Sequence, residues 1–201
     1  MNQQRAARLA YFSSTRHYHV EYSGMAHLSA EMEVQVTQDA RTGKSFRIVS
    51  ESGSHMLCEK VLRRAVESER EAAQDHSSTA LTAANYRFTL AGTEAVNGRP
   101  AYILEVESIS PSKFLYRGRI WVDGADFAVV KIDASPAKNP SFWISRTLIE
   151  QSFVHAGEFW LPASNRSETH VRVGGTALFT IDYGTYQVQP ATALAANSAP
   201  R

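Results

Sequence analysis

The chain has a single cysteine, Cys58, in 201 residues, which excludes an internal disulfide framework. Cys58 lies in a helical pattern beside Leu57, Val61 and Leu62, where it reads as a small apolar residue rather than a nucleophile. Long apolar runs are also missing. None approaches the roughly 20 residues needed to cross a bilayer as a helix, so no transmembrane segment is expected. Charge of one sign is scarce: a formal net charge of +1 gives no reason to expect nucleic acid or an anionic membrane surface as partner. The opening MNQQRAARLAYF lacks the apolar core of a signal peptide, which fits a cytosolic protein or a mature secreted one written without its leader. No G-x-S-x-G elbow, G-x-G-x-x-G turn or P-loop occurs, and no constellation supports an enzyme or a bound cofactor.

What is present is a soluble globular composition, 43% hydrophobic and 20% charged, in a length that suits one domain with a real core. Residues 1–190 read as that domain, and the small polar residues of 191–201 as a disordered tail. The pattern predicts a short helix over 2–14, then strands at His17–Tyr22, Leu28–Gln38 and Ser45–Glu51. Residues 55–74 change period: Leu57, Cys58, Val61, Leu62, Ala65 and Val66 recur at helical spacing with charges opposite, and Ser54 is the expected N-cap. Asp75–Ala84 reads as a loop or a short helical turn.

Strands follow to the end. Tyr86–Leu90 and Arg99–Ser108 flank an Asn97-Gly98 turn, and a hairpin spans Lys113–Ala134. Ser141–His155, Glu158–Leu161, Ser167–Val173 and Ala177–Val188 complete the set. In the hairpin, Tyr116, Ile120 and Val122 alternate with Arg117, Arg119 and Trp121, so large side chains fall on both faces. Either both faces are covered or one lines a cavity. Some ten or eleven strands joined mostly by short turns make an antiparallel sheet that curls. The fold class is therefore α+β: a half-open, unclosed β-barrel with one long helix, and short ones, as a partial lid. Such a lid leaves room for an apolar ligand.

Other chemistry reads more simply. His17 and His19 share a strand face but lack the further ligands a metal site needs. Asp123 and Asp126 sit where a hairpin turn uses aspartate. Asn165-Arg166-Ser167 matches a short glycosylation motif that arises often by chance.

The segments NYRFTLAGTEAVNGRPAYILEV, KFLYRGRIWVDGADFAVVKIDASPAKNPSFW, GEFWLP and LFTIDYGTYQV resemble outer-membrane lipoprotein-sorting-like proteins, the superfamily of LolA, LolB and the sensor domain of RseB. The helix SHMLCEKVLRRAVESEREAA stands where that group has its long helix. The resemblance runs from about Arg5 to Val188. It implies an apolar cavity that accepts the acyl chains of lipid or lipoprotein, a periplasmic location and no bond chemistry. It equally admits a regulatory or scaffolding module that binds an envelope protein. The family's lid-latching arginine has no local motif here, and no residue is carried over for it. The expected ligand-binding residues are Leu57, Val61, Leu62 and Ala65 from the helix. On the sheet they are Tyr102, Leu104, Tyr116, Ile120 and Trp143, with strand parity leaving the cavity face open.

Overall fold

Alternation sets the sheet. In a computed structural model, residues 8–139, 141–142, 144–172 and 174–191 are described, apart from the side chain of His76. Eleven antiparallel strands run β1 Leu9–Ser23, β2 His27–Asp39, β3 Gly43–Gly53, β4 Tyr86–Val96, β5 Arg99–Ser108, β6 Tyr116–Asp123, β7 Val129–Pro136, β8 Ile144–Ala156, β9 Phe159–Val171, β10 Thr176–Tyr183 and β11 Gln187–Pro190. They hydrogen-bond in the order β3-β2-β1-β10-β9-β8-β7-β6-β5-β4, with β11 also on β1. The order does not return on itself, so the barrel is open and β3 and β4 are its edges.

One helix, α1, follows β3 from His55 to Gln74, with a wider π-helical stretch at Cys58–Leu62. The helical turn α2, His76–Thr79, comes next, capped by Asp75, whose carboxylate accepts from the Ser78 amide. The stripe read from the sequence is the one that packs. Leu57, Cys58, Leu62 and Val66 are buried with Tyr18, Val20, Met32, Val34 and Val36. Ser54 makes no side-chain cap; its amide donates to the Ser29 carbonyl instead, tying the helix start to β2.

The register identifies the faces, because residues paired across antiparallel strands point to the same side. One unbroken row reads Met32, Tyr18, Ile181, Asn165, Gln151, Ile132, Ile120, Leu104, Leu90 across nine strands. Its neighbour reads Ala30, Val20, Phe179, Ser167, Ile149, Ala134, Gly118, Val106, Phe88. Both begin under α1, so this is the inner face. It is apolar at each side and polar in the middle, at Asn165, Gln151 and Ser167. A Cβ on Gly118 would stand 2.5 Å from the Asp133 carbonyl oxygen, so only glycine fits where β6 and β7 close up.

The hairpin's large residues on both faces now have a reason. Tyr116, Ile120 and Val122 point inward. Arg117 and Arg119 point outward into a charge ladder in which Arg117 faces Glu107, and Arg119 faces Glu105 and Asp133. Trp121 is covered outside by the Lys131 ammonium, 4.3 Å from its ring, and packs in a small second core with Ala101, Ala128, Val130 and Trp160.

Several expectations are corrected. Leu9–Ser14 is strand, not helix, because Ala10, Phe12 and Ser14 alternate inward and β2 and β11 flank them on both sides; residues 1–7 lie outside the described set, as do 192–201 of the expected tail. The two strands expected at Glu158–Leu161 and Ser167–Val173 are one, β9, passing through Pro162. The last expected strand is two, since the chain leaves β10 at Gly184, whose amide donates to the Thr15 carbonyl. Phe127 precedes β7 at φ 51.

The β6–β7 turn is held by buried Asp123. Its carboxylate accepts from the Ala125 and Asp126 amides and from Arg99 Nε at 2.6 Å and Nη2 at 2.9 Å. The Arg99 guanidinium, with these amides, holds the carboxyl well below its ordinary range against the opposing effect of desolvation. Its contribution is therefore complete above about pH 4 and fades with acidification below that. Asp123→Ala should cost about 2 kcal/mol in urea unfolding at pH 7, and the difference should shrink toward pH 2.

Candidate functional site

The helix packs on β1, β2 and β3, and the inner face beyond it is only partly covered. Along β4–β6 this face carries Leu90, 63% exposed, and Tyr102, 40% exposed, with half-buried Phe88, Leu104 and Val122 around buried Ile120. Tyr102 pairs with Val122, and Leu104 with both Ile120 and Leu90, so all share one surface. The floor below is the core of Tyr86, Val106, Leu115, Ile120, Ile132 and Ala134. An exposed apolar strip of this kind is the surface an alkyl chain needs.

Of the residues expected to bind ligand, Tyr102, Leu104, Tyr116 and Ile120 lie on this inner face. Register resolves the parity that sequence left open. Leu57 and Leu62 are buried in the α1 core, and Val61 and Ala65 pack at its margin. They face the same interior, over β1–β3 rather than over the strip. Trp143 lies outside the described residues.

Sequence reading missed a charged cluster beneath the helix. Arg16, on the inner face of β1 between Val34 and Tyr183, is 2% exposed. Its Nη1 lies 2.5 Å from Glu69 Oε2 of α1, the Tyr18 hydroxyl donates to Glu69 Oε1 at 2.8 Å, and Lys44 Nζ stands 3.4 Å away. The Tyr183 ring lies 4.6 Å from the Arg16 guanidinium. Arg16 Nε and the nearby Ser14 Oγ are buried without a partner. The signal was the β1 row Ala10, Phe12, Ser14, Arg16, Tyr18, Val20, whose two polar members disguise an inward stripe.

Burial works against the Glu69 carboxylate, but attraction to Arg16 and Lys44 outweighs it and holds the group below its ordinary value. Lys44 goes the other way: burial, with repulsion from Arg16, lowers its ammonium to about 8 despite Glu69. Burial first, then Glu69, pushes the Tyr18 and Tyr183 hydroxyls well up.

The outer face is polar. A cleft of about 400 Å³ lies over His17, His19, Glu31, Glu33 and Asp182, and another of about 510 Å³ over Arg87, Glu105, Glu107, Arg117 and Arg119. Among the described residues no group of three metal-ligating side chains is placed to hold an ion. Thr176, His170 and Glu168 form a hydroxyl–imidazole–carboxylate chain at 3.2 and 3.1 Å, but all three stand on the outer face away from these clefts. Cys58 is buried; burial raises its thiol, which donates to the Ser52 carbonyl. No helix is long and apolar enough to cross a membrane among the described residues.

No family model matches the chain, and no curated protein matches it. Solved structures do. A LolA superfamily protein from Nitrosomonas europaea is 13% identical, with 88% of this chain and 86% of that chain covered and a TM-score of 0.37. A DUF1329 family protein from Desulfovibrio piger is 10% identical, covering 92% and 88%, at a TM-score of 0.39. The Pseudomonas aeruginosa MucA/MucB complex contains a chain 13% identical, covering 91% of each, at a TM-score of 0.28. Identities and scores this low leave function to be read from the chain's own geometry.

The Lys44 amine titrates near 8 in the folded chain and near 10.5 when unfolded, so between these the unfolded state binds more protons and stability rises with pH. Above the ordinary tyrosine value of 10.0, the buried tyrosines reverse the trend, because only the unfolded chain ionises them. Urea midpoints should show the parent gaining on Lys44→Met between pH 8 and pH 10.

Proposed function

We propose that this chain is a periplasmic carrier that holds acyl chains of a lipid or lipoprotein between its curved sheet and its helix, without bond chemistry. The observation that carries the reading is the apolar strip of Leu90, Tyr102 and Leu104, on the inner face yet beyond the helix. Burying an acyl chain there contributes about 0.8 kcal/mol per methylene, and a chain of ordinary length reaches useful affinity from that source alone. Tyr102, Leu104, Tyr116 and Ile120 form the sheet wall. Leu57, Val61, Leu62 and Ala65, the expected helix wall, pack against β1–β3 and close the inner end of the proposed site rather than line the acyl chain; Trp143 belongs to the same proposed set. The envelope location follows from the strand segments' resemblance to lipoprotein-sorting proteins.

A second reading has its own support. β4 is the last strand in the order, so one side of its backbone has no strand neighbour among the described residues, and Leu90 stands exposed on it. An extended segment of an envelope protein could add there as a further strand.

Lipid extraction and mass spectrometry of the native protein should find acyl chains. Leu104→Glu should abolish their retention, since it places a charge in the strip, while the unfolding midpoint changes little at this half-buried position. Native protein that is empty and takes up no palmitate contradicts the carrier reading; an envelope protein that co-purifies equally with parent and Leu104→Glu favours the second.

A further inference from the structure

The two ends of the sheet differ in charge and in what they expose. Ser23 pairs with both His27 and Thr176, Ala30 with Gly53, Val171 with Ile144, Tyr116 with Pro136 and Tyr86 with Ser108. The connections at residues 24–26, 54, 80–85, 109–115, 137–143 and 172–175 therefore gather at one end. None of them contains an aspartate or glutamate, and they hold Lys113, Lys138 and Arg172. The turns of the opposite end carry or adjoin Asp39, Asp123, Asp126 and Glu158, mixed with Arg41 and Arg99. A net charge of +1 conceals this segregation.

This end, where Glu71 of α1 stands at the rim in its pair with Lys113, also holds apolar side chains out in water. Met25 is 98% exposed at the tip of the β1–β2 turn, where a small or polar residue is usual. Phe142 is 76% exposed in the β7–β8 connection, Met56 53% at the start of α1 and Ile109 46% after β5. Single exposed apolar residues are ordinary. Four on separate connections around one rim, interleaved with cations, are a pattern. Arg172 lies 5.3 Å from the Phe142 ring and donates to its carbonyl, and Lys113 lies 4.5 Å from the Phe114 ring while also pairing with Glu71 at 3.2 Å. Aromatic rings beside cations suit the boundary between headgroups and acyl chains, where the ring meets hydrocarbon and the cation meets phosphate.

We propose that this end of the barrel docks on an anionic lipid bilayer, with Met25 and Phe142 entering the acyl boundary and Lys113, Lys138 and Arg172 facing the headgroup phosphates. The inference goes beyond the carrier reading and is independent of what the inner face holds. The charge complementarity selects a lipid surface of negative sign, and apolar tips a few side chains wide suit shallow, reversible contact.

Flotation of the full chain with vesicles tests it. Equimolar phosphatidylethanolamine and phosphatidylglycerol vesicles should carry the protein up, pure phosphatidylcholine much less, and added salt should weaken the binding. The double variant Met25→Asp, Phe142→Asp should bind roughly tenfold or more weakly. Phe127→Asp, which alters an exposed aromatic at the opposite end, should bind like the parent. These sites are exposed, and unchanged circular dichroism would verify the fold. Absence of binding to the anionic vesicles, equal binding to both compositions, equal binding by the double variant, or equal loss in Phe127→Asp overturns the proposal. Vesicle binding by a protein that extracts empty and takes up no palmitate would leave this proposal standing and remove the carrier reading, so the two fail separately.

Discussion

Among the described residues one long helix must serve a sheet of eleven strands, and the ion pair between Arg16 and Glu69 determines where it lies. Apolar packing is non-directional: the stripe of Leu57, Leu62 and Val66 could slide over any greasy part of the inner face. A buried guanidinium cannot accept that freedom, because removing its carboxylate would leave an uncompensated charge in the core. Glu69 also accepts from Tyr18 and lies near Lys44, so β1, β3 and α1 meet on one side chain. With the helix pinned over β1–β3, the inner face of β4–β6 is left partly open.

That division gives each region its character. Under the helix, side chains from both layers fill the space. Across the middle, Asn165, Gln151 and Ser167 interrupt the apolar rows and separate the filled half from the open half. At the open half the floor is a true core, which keeps the strip in place, while Leu90 and Tyr102 remain accessible above it. The outer face, a ladder of arginines against glutamates and an aspartate, discourages apolar contact there. The exposed apolar strip thus lies on the inner face, near an edge strand and below a rim of apolar tips.

Much of this could be read from the sequence where period and turn chemistry agreed. The helix at 55–74 was legible because six apolar residues keep one face, and the Asn97-Gly98 turn because both residues adopt positive φ, at 51 and 77. β1 was not. Its inward row contains Ser14 and Arg16; the place of Arg16 depends on a carboxylate more than fifty residues away, and no local pattern carries that information. Alternation put Tyr102 and Leu104 on one face of their strand, but which face it is followed only from the register through β6–β10 to β1. Leu57 and Leu62 show the converse: a helical stripe says which residues are buried, not whether a neighbour or a ligand buries them.

On the proposed reading the inner face of β4–β6 binds the ligand, while the face under α1 is occupied by the chain itself. Methyl-resolved NMR with a spin-labelled stearic acid examines this residue by residue. The methyls of Leu90, Leu104 and Val122 should broaden on addition of the probe while those of Val20 and Val34, under the helix, stay sharp. Broadening that is absent, confined to the outer face, or as strong at Val20 and Val34 as at Leu104 would contradict it.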